Sequence, residues 1–126
     1  MGDFSAVHGI IVLIILLPPL IGIFGVGLQR KVLIKHRESG LMKYGYFGWS
    51  WTYYLFGWFV PIFRGEIGIG LLHLIISLFT FGLFQVIMSF LYNKQYMTRQ
   101  LLNGWELADS EIVNQQARIN LSITTV

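Results

Sequence analysis

A chain of 126 residues has room for one domain, and 55% of its residues are hydrophobic while 12% are charged, about half the charged fraction of an ordinary soluble domain. Too little polar surface is available to cover so much apolar surface at this size, so a water-soluble globule is excluded, in line with a mean hydropathy of +0.64. The net charge of +3 is modest and its basic residues adjoin apolar runs, which argues against a nucleic-acid interface; the absence of cysteine excludes disulfides, thiolate metal sites and cysteine nucleophiles.

Residues 4–28 are free of Lys, Arg, Asp and Glu and are long enough to cross a hydrocarbon core of about 30 Å. A transmembrane helix is expected over roughly 7–29. The residues before it carry no Lys or Arg, so it lacks the basic start of a cleaved signal peptide and is expected to stay in the mature chain. Pro18-Pro19 should kink it and free the carbonyls of Ile14 and Ile15, which then need a neighbour.

The basic cluster Arg30, Lys31, Lys35, Arg37 and Lys43 follows in the loop 30–43. The positive-inside rule makes this loop cytoplasmic, and the spacing predicts a helix lying on the bilayer surface as far as Gly40, its cations on lipid headgroups. Next comes the most aromatic stretch of the chain, 43–64, with Trp49, Trp51 and Trp58 among its rings. Rings of this kind suit the headgroup boundary. Residues 46–63 are expected as a second, short span, or as a re-entrant element, since Gly48, Gly57 and Pro61 weaken a helix that would barely reach across. The turn Arg64-Gly65-Glu66 is expected to be a clasp, Arg64 holding Glu66 or a lipid phosphate.

A third span is expected over 67–93, and a continuation of its helix to Leu102, stopped by Asn103-Gly104. Residues 103–126 have soluble composition: Asp109 or Ser110 should cap a short helix, and the end of the chain alternates like a strand or docking tail. The expected architecture is thus an all-α integral membrane protein of three spans, with a membrane domain 1–102, a cytoplasmic tail 103–126, and the N-terminus outside.

Catalytic chemistry has little to draw on. The six acids, Asp3, Glu38, Glu66, Glu106, Asp109 and Glu111, lie in turns, tails or interface positions, and no Ser-His-acid triad can be assembled. No enzyme activity, metal or cofactor is expected. His8 and His73 could together hold a haem iron or bond a quinone; the simpler alternative is that His73 makes a hydrogen bond inside the bundle.

Phe47, Trp49, Phe56, Gly57, Phe59, Pro61, Arg64, Gly65 and Glu66, followed by Thr80-Phe81-Gly82 and by Tyr92-Asn93-Lys94 with Tyr96, form the pattern F-x-W…F-G-x-F-x-P-x-x-R-G-(D/E)…Y-N-K-x-Y. In this pattern, over residues 47–109, the chain resembles a family of uncharacterised small inner-membrane proteins of bacteria and phages. The resemblance implies a bacterial or phage-borne inner-membrane protein and supplies no activity. The expected role is that of a non-enzymatic accessory, scaffold or assembly subunit whose partners are the bilayer and other membrane proteins or a second copy. The alternatives are a phage-type effector, such as a holin or superinfection-exclusion protein, and a haem or quinone protein.

Overall fold

A computed structural model describes residues 2–123. Helix α1 (Gly2–Ile21) runs on through a π-helical turn, Gly22–Val26, and the stretch Ser5–Val26 is the one helix among the described residues that is long and apolar enough to cross a membrane. Its sides are exposed along almost the whole length. The proline pair lies inside α1, and the Tyr54 hydroxyl donates to the carbonyl of Ile15, one of the two that the prolines release.

The basic loop is a β-hairpin and not a surface helix. Strands β1 (Arg30–His36) and β2 (Met42–Phe47) pair antiparallel, Ile34 opposite Lys43 and Val32 opposite Gly45. Strand β3 (Trp105–Leu107) pairs with the other edge of β1, giving the order β2-β1-β3. Val32 and Ile34 point inward and are fully buried, while Lys31 and Lys35 alternate outward, the period of two that a half-buried strand requires. Helix α6 lies on the inner face so closely that a Cβ on Gly45 would come within 2.3 Å of the Met97 sulfur.

Residues 46–63 do not form one helix. They finish β2, turn at Gly48, and make two short helices, α2 (Trp51–Phe56) and α3 (Phe59–Phe63), which fold back at Gly57. The expected third span is broken as well: α4 (Ile67–Phe79) turns at Thr80-Phe81-Gly82 into α5 (Leu83–Ser89), and a second break precedes α6 (Tyr92–Leu102). At 13 residues, α4 is only about 20 Å long, well short of a bilayer core. The three-span, all-α architecture is therefore overturned: one helix has the length to cross, and a three-stranded sheet stands where helix was expected.

Helix α6 does end at Leu102 with Asn103 as its cap, and Ser110 caps α7 (Glu111–Leu121) by accepting the Val113 amide. The alternating end of the chain is helical through Leu121; residues 124–126 lie outside the described residues. One core joins these parts, built from Val32, Ile34, Phe47, Tyr53, Tyr92, Tyr96, Met97, Leu107, Ala117 and Leu121.

Candidate functional site

Polar side chains from α3, α6 and α7 converge on the chain that leaves α1. Gly48 begins the convergence: its φ is +95°, and a Cβ there would sit 2.6 Å from the Leu28 carbonyl, so only glycine lets the β2–α2 turn press against the chain leaving α1. The Trp49 amide completes that seam on the Gly27 carbonyl at 2.7 Å. Asn120 of α7 staples it, accepting the Gly48 amide at 2.9 Å and donating to the Val26 carbonyl at 2.8 Å.

Asn93, in the first turn of α6 and buried, is the centre of the cluster. Its amide nitrogen donates to Gln29 Oε1 at 2.8 Å and to the Gly48 carbonyl at 3.2 Å, and its oxygen accepts from Arg64 Nη1 at 2.9 Å. Arg64 closes α3, and its guanidinium lies over the rings of Tyr46, Tyr96 and Tyr92 at 4.1, 5.0 and 5.1 Å. The expected clasp between Arg64 and Glu66 is not made. Arg99 takes the Glu66 carboxylate with two bonds, Nε at 2.6 Å and Nη2 at 2.8 Å, and the Tyr92 hydroxyl donates to it at 2.9 Å. Lys43, opposite Ile34 on the inner face of the sheet, donates to Gln100 Oε1 at 2.6 Å and lies 4.3 Å from the Trp105 ring.

Three cations thus surround one carboxylate. Burial pushes the Arg64 guanidinium and the Lys43 amine below their ordinary values, with Glu66 opposing both, and a guanidinium stays charged under any physiological condition. Burial also pushes the Glu66 carboxyl up, but the bonds from Arg99 and Tyr92 and the charges of Arg99 and Arg64 outweigh it and hold the group below the usual range. Tyr92 and Tyr96 are raised, first by burial, so both hydroxyls stay protonated at neutral pH. Beside Arg64 a cleft of about 360 Å³ opens, lined by the polar side chains of Gln29, Tyr46, Thr52 and Arg64 and by the apolar ones of Phe56, Val60 and Phe63.

The fold unites Arg64, Glu66, Tyr92 and Asn93, four residues selected from sequence, and separates the rest. Trp49 is buried against Gly22 and donates to Ser89 Oγ at 3.0 Å. Trp51 is 40% exposed on α2, and Trp58 stacks on Phe59. Pro61 is buried within α3, Gly65 has open space where a Cβ would go, and Lys94 is exposed on α6. Of the basic residues of the loop 30–43, Arg30 donates to Gln116, Lys31, Lys35 and Arg37 are exposed on the hairpin, and Lys43 turns into the cluster. His73 is buried and bonded through Nδ1 to the Tyr53 hydroxyl at 2.8 Å, with Phe84 edge-on; His8 lies on exposed α1, about 10 Å along the axis from Ile15.

Sequence reasoning left out Gln29, Tyr46, Arg99 and Asn120 as site residues, and Tyr96 entered only through the Y-N-K-x-Y pattern. A usable signal existed on α6, where Tyr92, Tyr96 and Arg99 follow the i, i+4, i+7 spacing of one helix face. Set against protein-family models, curated proteins and solved structures, the chain matches none of them.

Proposed function

We propose that this chain is a non-enzymatic accessory module of the bacterial inner membrane, held by α1 and seated on the cytoplasmic leaflet by its two apolar helical hairpins. The observation that carries this reading is the order in which Trp49 and Tyr54 link the second hairpin to α1. Ser89, at the base of α5, bonds to Trp49, which packs on Gly22 near the end of the span; Gln85, one turn nearer the tip, bonds to the Tyr54 carbonyl, and the Tyr54 hydroxyl reaches Ile15. Moving along α5 toward its tip therefore means moving along α1 into the membrane. Ile15 lies about 16 Å inside Val26, so the tip reaches roughly mid-bilayer.

The surface of the hairpin suits that depth. Residues 67–93 carry no charge, and Leu78, Phe79, Phe81 and Leu83 at the tip are all exposed, Phe81 at 98%. Phe81 also has φ +54°, a conformation that costs a bulky residue energy and that a tip held in lipid gives reason to keep. All nine Lys and Arg follow the span, which supports a cytoplasmic domain and an outside N-terminus. Glu66, the one carboxylate of the cluster, has a structural task in holding Arg99, and Asp109, away from it, accepts the Leu33 amide, which favours binding over catalysis.

Purification from native membranes in mild detergent tests the accessory role. A stoichiometric membrane-protein partner, lost when exposed Trp51 on α2 is replaced by Ala, is the expected result. An unassociated chain whose overproduction lyses cells would contradict it.

A further inference from the structure

The cleft beside Arg64 has the chemistry of a ligand site that none of the structural bonds uses up. Glu66 is the carboxylate nearest in sequence, and Arg99 already holds both of its oxygens. Among the described residues Arg64 has no carboxylate within ion-pair distance, and its one side-chain hydrogen bond is that from Nη1 to Asn93. A guanidinium carries five N–H donors in a planar fork that matches phosphate. With Lys43 and Arg99 also present, the cluster holds more positive charge than Glu66 can balance.

The rest of the lining is apolar. Phe56, Val60 and Phe63 supply it, and Phe63 is 84% exposed, so the apolar lining continues outward into the apolar surface of the α2–α3 hairpin. The cleft also has a defined height. Gln29, in its lining, is three residues beyond Val26, where the span ends, which is at most about 10 Å of chain and therefore within the headgroup layer.

We propose that this cleft seats one anionic phospholipid, its phosphate on the Arg64 guanidinium and its upper acyl chain along Phe56, Val60 and Phe63. The assignment rests on the membrane-seated reading above. A zwitterionic headgroup is disfavoured, since its own cation would be brought toward Arg64 and Lys43. Inorganic phosphate would gain nothing from the apolar lining.

Native mass spectrometry of the full-length protein, released from detergent after exposure to equimolar phosphatidylglycerol and phosphatidylcholine of identical acyl chains, reads the preference directly. The wild-type chain should retain one phosphatidylglycerol with about tenfold preference. Arg64→Gln should reduce the preference to within about twofold, and Arg64→Lys should keep part of it. Phe56→Glu, at an exposed position that leaves the Arg64–Asn93 bond in place, should also abolish it with an unchanged circular dichroism spectrum. Retention of the preference in Phe56→Glu would overturn the site, and displacement of the lipid by excess inorganic phosphate would assign the cleft to a free anion instead. A wild-type chain that incorporates into nanodiscs but shows no preference would refute the lipid site and leave the membrane seat standing; failure to incorporate would refute both.

Discussion

Asn93 ties three segments together with a single amide, and its removal has a definite cost. Asn93→Ala would strand the Gly48 carbonyl and one edge of Arg64 and leave Gln29 Oε1 with the Thr52 hydroxyl alone, so unfolding in detergent should show a loss of about 2 kcal/mol, against less than about 0.5 kcal/mol for exposed Lys94→Ala. Glu66 gives a pH signature. Its folded pKa lies below the unfolded value near 4.3, so its stabilisation is fully present above that value and disappears as pH falls through the folded one. Urea unfolding at stepped pH should show the wild-type chain weakening on acidification through this window, and Glu66→Gln should be weaker at neutral pH and flatter across it. The R-G-E and Y-N-K patterns drew attention to Arg64, Glu66, Tyr92 and Asn93 in the sequence. Their pairing was not legible there, because Arg99 reaches Glu66 only through the turns at Gly82 and Phe90 that return α6 to the base of α4.

At the scale of elements, the features legible in the sequence were local ones. The long apolar helix α1, the stop at Asn103-Gly104 and the Ser110 cap each follow from contiguous residues of the chain. The hairpin did not, since Val32, Leu33 and Ile34 form a continuous apolar run whose alternation appears only when Lys31 and Lys35 are seen on the outer face and Gly45 and Lys43 opposite. Strand pairing between residues far apart in the chain, such as His36 with Trp105, leaves no periodic trace. The break at Thr80-Phe81-Gly82 was hidden by hydrophobicity, which is uniform across a tight turn when the turn itself is apolar. Two glycines separate space from conformation. Gly48→Ala meets both a positive φ and the Leu28 carbonyl, whereas Gly65→Ala meets a positive φ in open space, so thermal unfolding should show the first as the more damaging, by at least about 1 kcal/mol. Tyr54→Phe, which leaves the proline-freed Ile15 carbonyl without its donor, should loosen α1 from α2 at a cost of about 1 kcal/mol, seen as faster hydrogen exchange around the proline pair of α1.

For the whole molecule, charge and apolar surface are segregated along one direction. Charged residues occupy the sheet, the 64–66 turn, α6 and α7, while α1 after its start and the two hairpins carry none. This arrangement predicts that the domain stays on one side of the bilayer. Because the chain has no cysteine, single cysteines at Ser5, Ser39 and Ser110 can be treated with an impermeant maleimide in spheroplasts, and Ser5 alone should react before permeabilisation. The central claim, that the α4–α5 tip sits in lipid beside α1, is tested most directly at Phe81. With Phe81→Cys carrying an environment-sensitive fluorophore in nanodiscs, blue-shifted emission that is quenched by mid-chain brominated lipid and shielded from aqueous iodide is the predicted result; emission like that of the free dye in water, quenched by iodide and untouched by brominated lipid, would contradict it.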